Sequence, residues 1–174
     1  MKKLLALVLT LVMALSFVGC AKKDADTDAQ SDLAYVQEKG TLVVGITDFA
    51  PMDYKDDKGE WIGFDADMAK LFAESLDVEV EFVEIDWDNK ILELDGKSID
   101  CVWNGMTLTD EVKAAMDCSE PYCNNQQVVI VPIKEAGKYQ TAEDCKDLSF
   151  AVEAGSAGKA MAEENGFEIQ YIYK

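Results

Sequence analysis

DCVWNGMTLTDEVKAAMDCSEPYCNN, Asp100–Asn125, is the stretch whose reading decides the fold. Ile99, Cys101 and Trp103 alternate with Asp100 and Val102, the period of a strand. The pattern breaks at Asn104-Gly105, and Thr107 and Thr109 lead into Asp110-Glu111, a helix start. Ser119-Glu120-Pro121 makes a second turn. A strand end, a glycine and hydroxyl side chains before a helix suit an anion or a carboxylate, because unpaired N–H groups and the helix dipole point there.

Working back from this stretch, the chain alternates strands and helices. Ser31-Asp32 caps a short helix through Lys39, with Leu33 and Val36 inward and Gly40 as its stop. Thr41–Ile46 is an apolar run expected of a strand covered on both faces. Thr47–Pro51 forms the loop at its C-terminal end, where open α/β sheets place ligands. Tyr54–Gly63 reads as a hairpin-like loop around Asp57-Lys58-Gly59. A helix follows over Phe64–Leu76, with Phe64, Met68, Leu71, Phe72 and Ser75 on its inward face. Val78, Val80 and Phe82 alternate with glutamates, which predicts a strand, and a helix is expected over Asn89–Leu94. This order implies a doubly wound α/β lobe with its binding loops at strand C-termini.

Charge narrows the function. Among 174 residues, lysine and arginine together number 16 and histidine is absent, for a net charge of −18. Every one of the 16 cations is a lysine, so the chain has no arginine. No nucleic-acid partner is expected, since phosphate binding needs clustered cations. Acid–base catalysis near neutral pH would fall to a carboxylate or lysine of shifted pKa, which weighs against an enzyme.

The N-terminus carries a secretory pattern. Met1-Lys2-Lys3 is a short basic region, and Leu4–Val18 is apolar but shorter than a membrane span of about 20 residues. Residues 1–19 are expected to be a signal peptide. Phe17-Val18-Gly19-Cys20 resembles a bacterial lipobox, which implies cleavage before Cys20 and its lipidation; the alternative is an ordinary signal peptide with an incidental cysteine. Residues 20–31 then form the lipidated cysteine and a polar tether.

Several segments together resemble the extracellular solute-binding proteins for polar amino acids (family 3), the receptor subunits of ABC importers. They are GTLVVGITDFAPMDYKDDKGEWIGFDADMAKLF, EIDWDNKILELDGKSIDCVWNGMTLTDE, SEPYCNNQQVVIV and LSFAVEAGSAG. The resemblance covers nearly everything after Gly40. It implies a type II periplasmic-binding-protein-like α/β fold of two lobes: lobe 1 over 32–125, nearly complete up to the hinge; a hinge strand within 126–133 (Gln126–Pro132); and an incomplete βαβ piece of lobe 2 over 134–174. In that second piece a helix is expected near Ala142–Lys146, strands at Leu148–Val152 and Ile169–Tyr173, and a helix after Gly155-Ser156-Ala157-Gly158. The chain reads as truncated within the second lobe.

The resemblance also implies site roles. Phe49 and Trp87 would sandwich a ligand, with cation–π attraction to its ammonium; their alternative is packing within the lobe. Asp48 would meet a polar or cationic group, or merely cap a turn. Gly105 lets backbone approach the ligand, Thr107 offers a hydroxyl and an N–H, and Ser156 opens the second lobe's ligand loop or simply caps its helix. Asp86 and Asp88 are read as helix caps rather than metal ligands. No cofactor or metal is expected. The partners would be an amino-acid-like solute, an ABC permease and a membrane reached through the lipid; the receptor would be a monomer outside the cytoplasmic membrane.

One position departs from the family pattern. Valine stands at Val112, where the family carries an arginine that pairs bidentately with the solute's α-carboxylate. Lys113 is adjacent but lacks the planar fork and is turned about 100° away. Losing such a pair costs several kcal/mol, and ~1.4 kcal/mol is a decade in affinity. Weakened α-amino-acid binding, a different solute or a lost site are the alternatives. A dehydratase-like enzyme on the same fold, acting on prephenate-like acids, and a non-binding remnant or surface interaction protein remain as rival functions. Cys101, Cys118, Cys123 and Cys145 are read as buried free thiols, with disulfides as the alternative.

Overall fold

A computed structural model describes residues 31–174. The expected signal peptide, Cys20 and nearly all of the expected tether therefore lie outside the described residues. Among the described residues, Ser31–Tyr35 stands apart from one larger compact unit, Val36–Lys174. Ser31 Oγ accepts the Ala34 N–H at 3.2 Å, as expected for the cap of α1 (Asp32–Lys39). Val36 is buried and Leu33 is half exposed, so only one of the two apolar residues read as inward is so.

The larger unit is built on β1 (Thr41–Ile46), which lies at the centre of a three-stranded parallel sheet. β4 (Glu79–Glu84) pairs with all six of its residues, from Thr41–Glu79 to Ile46–Glu84. β5 (Cys101–Val102) pairs on the other side, through Val44–Cys101 and Gly45–Val102. Burial of Leu42, Val44, Gly45 and Ile46 accounts for the unbroken apolar run of the central strand. Asp100 fixes the β5 edge: its Oδ2 accepts Lys39 Nζ at 2.6 Å and the Val43 N–H at 2.7 Å. Between β1 and β4, β2 (Tyr54–Lys55) and β3 (Trp61–Ile62) form the expected antiparallel hairpin.

α2 (Phe64–Ser75) packs on this sheet by a face other than the one its large residues suggest. Asp65, Ala66, Ala69 and Ala73 are buried, whereas Phe64, Met68, Leu71 and Phe72 are 39–61% exposed. Alanines let the helix axis come close to the sheet, and Ala69 and Ala73 join Leu42, Val44 and Ile46 in the core.

After β4 a 3-10 turn (Trp87–Asn89) runs into α3 (Lys90–Asp95), in place of one helix from Asn89. Neither Asp86 nor Asp88 caps it with a side-chain hydrogen bond. After β5, Thr109 caps α4 (Asp110–Ala115), accepting the Val112 N–H at 3.2 Å.

Residues 126–132 correct the hinge expectation in one respect. The segment is not a strand; it joins no sheet among the described residues, and Val128 and Ile130 are 72% and 89% exposed. An apolar sequence makes a strand only where a neighbour accepts its hydrogen bonds. Beyond it come 3-10 helices at Ile133–Lys138 and Glu143–Cys145, the latter within the helix expected near Ala142–Lys146 but a single short turn. β6 (Ser149–Glu153), α5 (Ala157–Glu164) and β7 (Glu168–Tyr173) complete a parallel βαβ unit. The type II two-lobe α/β reading agrees with these two parallel sheets. Cys145 is buried and Cys101 partly so, but Cys118 and Cys123 are exposed, contrary to the reading of all four as buried; all four are free thiols.

Candidate functional site

The C-terminal ends of both parallel sheets border one cleft of about 550 Å³. Thr47 and Asp48 reach it from the end of β1, and Glu84, Asp86 and Trp87 from the end of β4. The ends of β6 and β7 contribute Glu153, Tyr173 and Lys174. Strand ends make such sites because their loops are free to carry polar groups while the sheet holds them rigid.

Of the expected site residues, Asp48 and Trp87 line this cleft, whereas Phe49, Gly105, Thr107 and Ser156 lie outside its lining. Phe49, half exposed, rests on Gly105: a Cβ there would lie 2.6 Å from Phe49 Cε1, so a glycine is needed for the ring to sit. Phe49 is further held by a backbone bridge to Asp53. The Thr107 hydroxyl accepts Asn125 Nδ2 at 2.9 Å and Gln127 Nε2 at 3.2 Å, which ties the loop after β5 to the segment leaving it. Ser156 caps α5, its Oγ accepting the Lys159 N–H at 3.0 Å. Val112 is buried and does not line the cleft.

Three features were missed by sequence reasoning. Asn104, buried, donates through Nδ2 to Thr47 Oγ1 at 2.8 Å and so locks the ends of β1 and β5 together. Its position in a strand-ending Asn-Gly pair signalled only a turn. Lys90 is buried, and burial lowers its pKa against the opposing charges of Glu111, Asp88 and Glu153. Burial also raises the Glu153 carboxyl above its ordinary range, with Lys90 acting the other way. Lysine in a short amphipathic helix gives no sign that it is inside.

A second buried cluster stands under the Phe49 loop. Asp53 and Asp65 are both fully buried. Tyr122 OH donates to Asp65 Oδ1 at 2.8 Å, while both Asp53 oxygens, Asp65 Oδ2 and Trp103 Nε1 have no hydrogen-bond partner of ordinary geometry. Desolvation, and then the Asp65 charge, push the Asp53 pKa up to about 7.

The sequence profile of the bacterial extracellular solute-binding proteins, family 3, matches residues 42–164, more than half of the chain. The chain belongs to this family. Among curated family relatives, the L-cystine-binding protein TcyJ of Escherichia coli K12 is 32% identical over 155 residues, 88% of this chain and 58% of the relative. A cyclohexadienyl dehydratase of Pseudomonas aeruginosa is 28% identical over 158 residues, 89% of this chain and 59% of the relative. Among solved structures, that of the ancestral amino acid-binding protein AncCDT-1, described as a precursor of cyclohexadienyl dehydratase, superimposes with a TM-score of 0.77 at 36% identity, over 82% of this chain and 65% of that one. The chain thus spans about 58% of the length of the L-cystine-binding relative.

Proposed function

We propose that the protein is the solute-binding receptor of an ABC importer and takes an amino acid or a related small polar solute between its two lobes. The cleft bordered by the ends of both sheets carries this reading, because it joins a half-buried indole to carboxylates and a hydroxyl in a space of the size of a small solute. Trp87 and Phe49 act as aromatic walls, Asp48 meets the solute's ammonium, and Gly105, Thr107 and Ser156 present backbone and hydroxyl groups. Lobe 1 ends near Asn125, residues 126–133 form the crossing segment, and lobe 2 begins at Lys134. The solute sits on the outer side of the cytoplasmic membrane, where a lipid on Cys20 holds the receptor, as a monomer, beside its permease.

The test is calorimetry with a panel of amino acids, repeated on Val112→Arg. Saturable heat from the unaltered protein supports capture without the family's arginine. Heat only after Val112→Arg supports a receptor that has lost binding at this position. Heat from neither supports the remnant reading.

A second reading, an enzyme that removes water from a cyclohexadienyl acid, is favoured by one observation. Glu153 lines the cleft and burial raises its carboxyl pKa against the pull of Lys90, the direction a general acid needs. Product formation that disappears in Glu153→Gln would establish that reading over the receptor. We favour the receptor because its requirements do not extend beyond shape and charge.

A further inference from the structure

Lys90 has no part in the roles assigned above, yet it touches both lobes. It is buried, with 7% of its surface exposed, and a buried ammonium is costly unless its protons are accepted. Two backbone carbonyls accept them: Trp87 O at 3.1 Å on its own turn, and Gly155 O at 3.1 Å, 65 residues away on the loop between β6 and α5. The ammonium also lies 4.8 Å from the centre of the Trp87 ring. We propose that Lys90 is a clasp between the lobes, its Nζ joining the Trp87 turn of the first to the Gly155 turn of the second and so setting how readily the cleft closes. The proposal rests on the two-lobe solute-capture reading.

The contact surfaces around the clasp are fitted to each other. Gly155 has φ +64°, and a Cβ there would lie 2.6 Å from Asp88 Oδ1 and 2.7 Å from Asp88 Cα. The two turns thus approach so closely that a side chain at position 155 would part them. A second seat lies alongside: a Cβ on Gly158 would be 3.2 Å from Gln127 Oε1, and Gln127 Nε2 donates to Thr107 Oγ1. Glu111, Asp88 and Glu153 act on the ammonium at longer range and offset part of its desolvation. A lysine suits the position because its ammonium is a point donor with three protons on a flexible stem, able to serve two carbonyls from different elements. With the lobes joined in this way, less of a solute's binding energy goes into closing them, so loss of the clasp lowers affinity although Lys90 itself does not line the cleft.

Amine acylation of the full chain by acetic anhydride, read by peptide mass spectrometry, tests this without any solute. Lys90 is expected to react about tenfold or more slowly than exposed Lys58 and Lys134, since the clasp must open before its amine can attack. Gly155→Ala, which forces the second turn off Asp88, is expected to raise the Lys90 rate several-fold while leaving Lys58 unchanged. In Lys90→Met, amide exchange is expected to quicken both at 86–90 and at 153–160, with β1 and β4 unaffected. A Lys90 rate equal to that of Lys58, or one unmoved by Gly155→Ala, overturns the clasp, and so does faster exchange confined to 86–90. If Lys90→Met does not fold, the unaltered protein and Gly155→Ala still decide. None of these readouts needs solute, so failure to find a solute and failure of the clasp are separate results.

Discussion

Asp53 shows at the scale of one residue how burial beside a second carboxylate sets a pH dependence. Its carboxyl is pushed up to about 7 from 3.8 by desolvation and by the neighbouring Asp65 charge. Between these two values the unfolded chain has released the proton and the folded chain still holds it. Stability therefore falls as pH rises from about 4 to about 7 and is flat above that. Asp53→Asn removes the titration while keeping the shape. It is expected to raise stability by roughly 1–3 kcal/mol at pH 8 relative to the unaltered protein, and to leave little difference at pH 4. Urea unfolding at the two pH values reads this directly; an equal effect at both would show that Asp53 is ionised throughout.

Lys90 and Asp53 were not legible as buried groups, whereas Thr109 and Ser156 were legible as residues at helix starts. The difference is physical. A cap depends on three or four consecutive residues, so Ser and Thr before a helical run announce it. A buried charge depends on what the fold brings from elsewhere: Asp65 for Asp53, and Gly155 for Lys90.

Among the elements, the strands were easier to read than the helix faces. Thr41–Ile46 is apolar throughout because both faces of β1 are covered, and it pairs along its whole length. α2 misleads because its bulky residues stay partly exposed while its alanines are the ones buried. Residues 126–132 mislead in the opposite sense, with strand composition but no ladder. The segment leading there is held by Tyr122, which bonds Asp65 and stacks on Phe64 at a ring separation of 6.3 Å. Tyr122→Phe keeps the ring and removes the hydrogen bond. It is expected to cost about 1–2 kcal/mol and to speed amide exchange around 118–124, while the β4-β1-β5 sheet keeps its protection. Unchanged exchange there would mean that the ring alone holds the segment.

The loop after β5 carries a sharper test of the site. In Gly105→Ala the new methyl overlaps the Phe49 ring, which must swing away. Phe49 is half exposed, so the ring has room to move and the melting temperature is expected to change little. Solute affinity is expected to fall at least about tenfold, the loss of ~1.4 kcal/mol of aromatic contact. A large melting shift with unaltered affinity would make Gly105 a packing residue alone.

For the whole molecule, two parallel sheets present their strand ends to one cleft, and the family assignment agrees with that architecture. The overall order of strands and helices in the first lobe was legible because each element is periodic and bounded by Gly, Asn, Asp or Pro. The cleft was legible only as a set of separate loops, since its walls come from β1, β4, β6 and β7, far apart in sequence. The cleft is acidic: Asp48, Glu84, Asp86 and Glu153 face it against Lys174. Among solutes of similar size, cationic amino acids are expected to bind more tightly than acidic ones, and the difference is expected to shrink between low and high salt as screening grows. Competition binding at two ionic strengths measures this, and a preference for acidic solutes would oppose it.

The most direct measurement is calorimetric titration of the protein with the best solute of an amino-acid panel, run beside Trp87→Ala. Capture in the cleft is expected to give one-to-one saturable heat in the unaltered protein and an affinity at least about tenfold weaker in Trp87→Ala, with both proteins melting as folded chains. Equal affinity in the two proteins, or no heat from any solute in either, would contradict solute capture at this cleft.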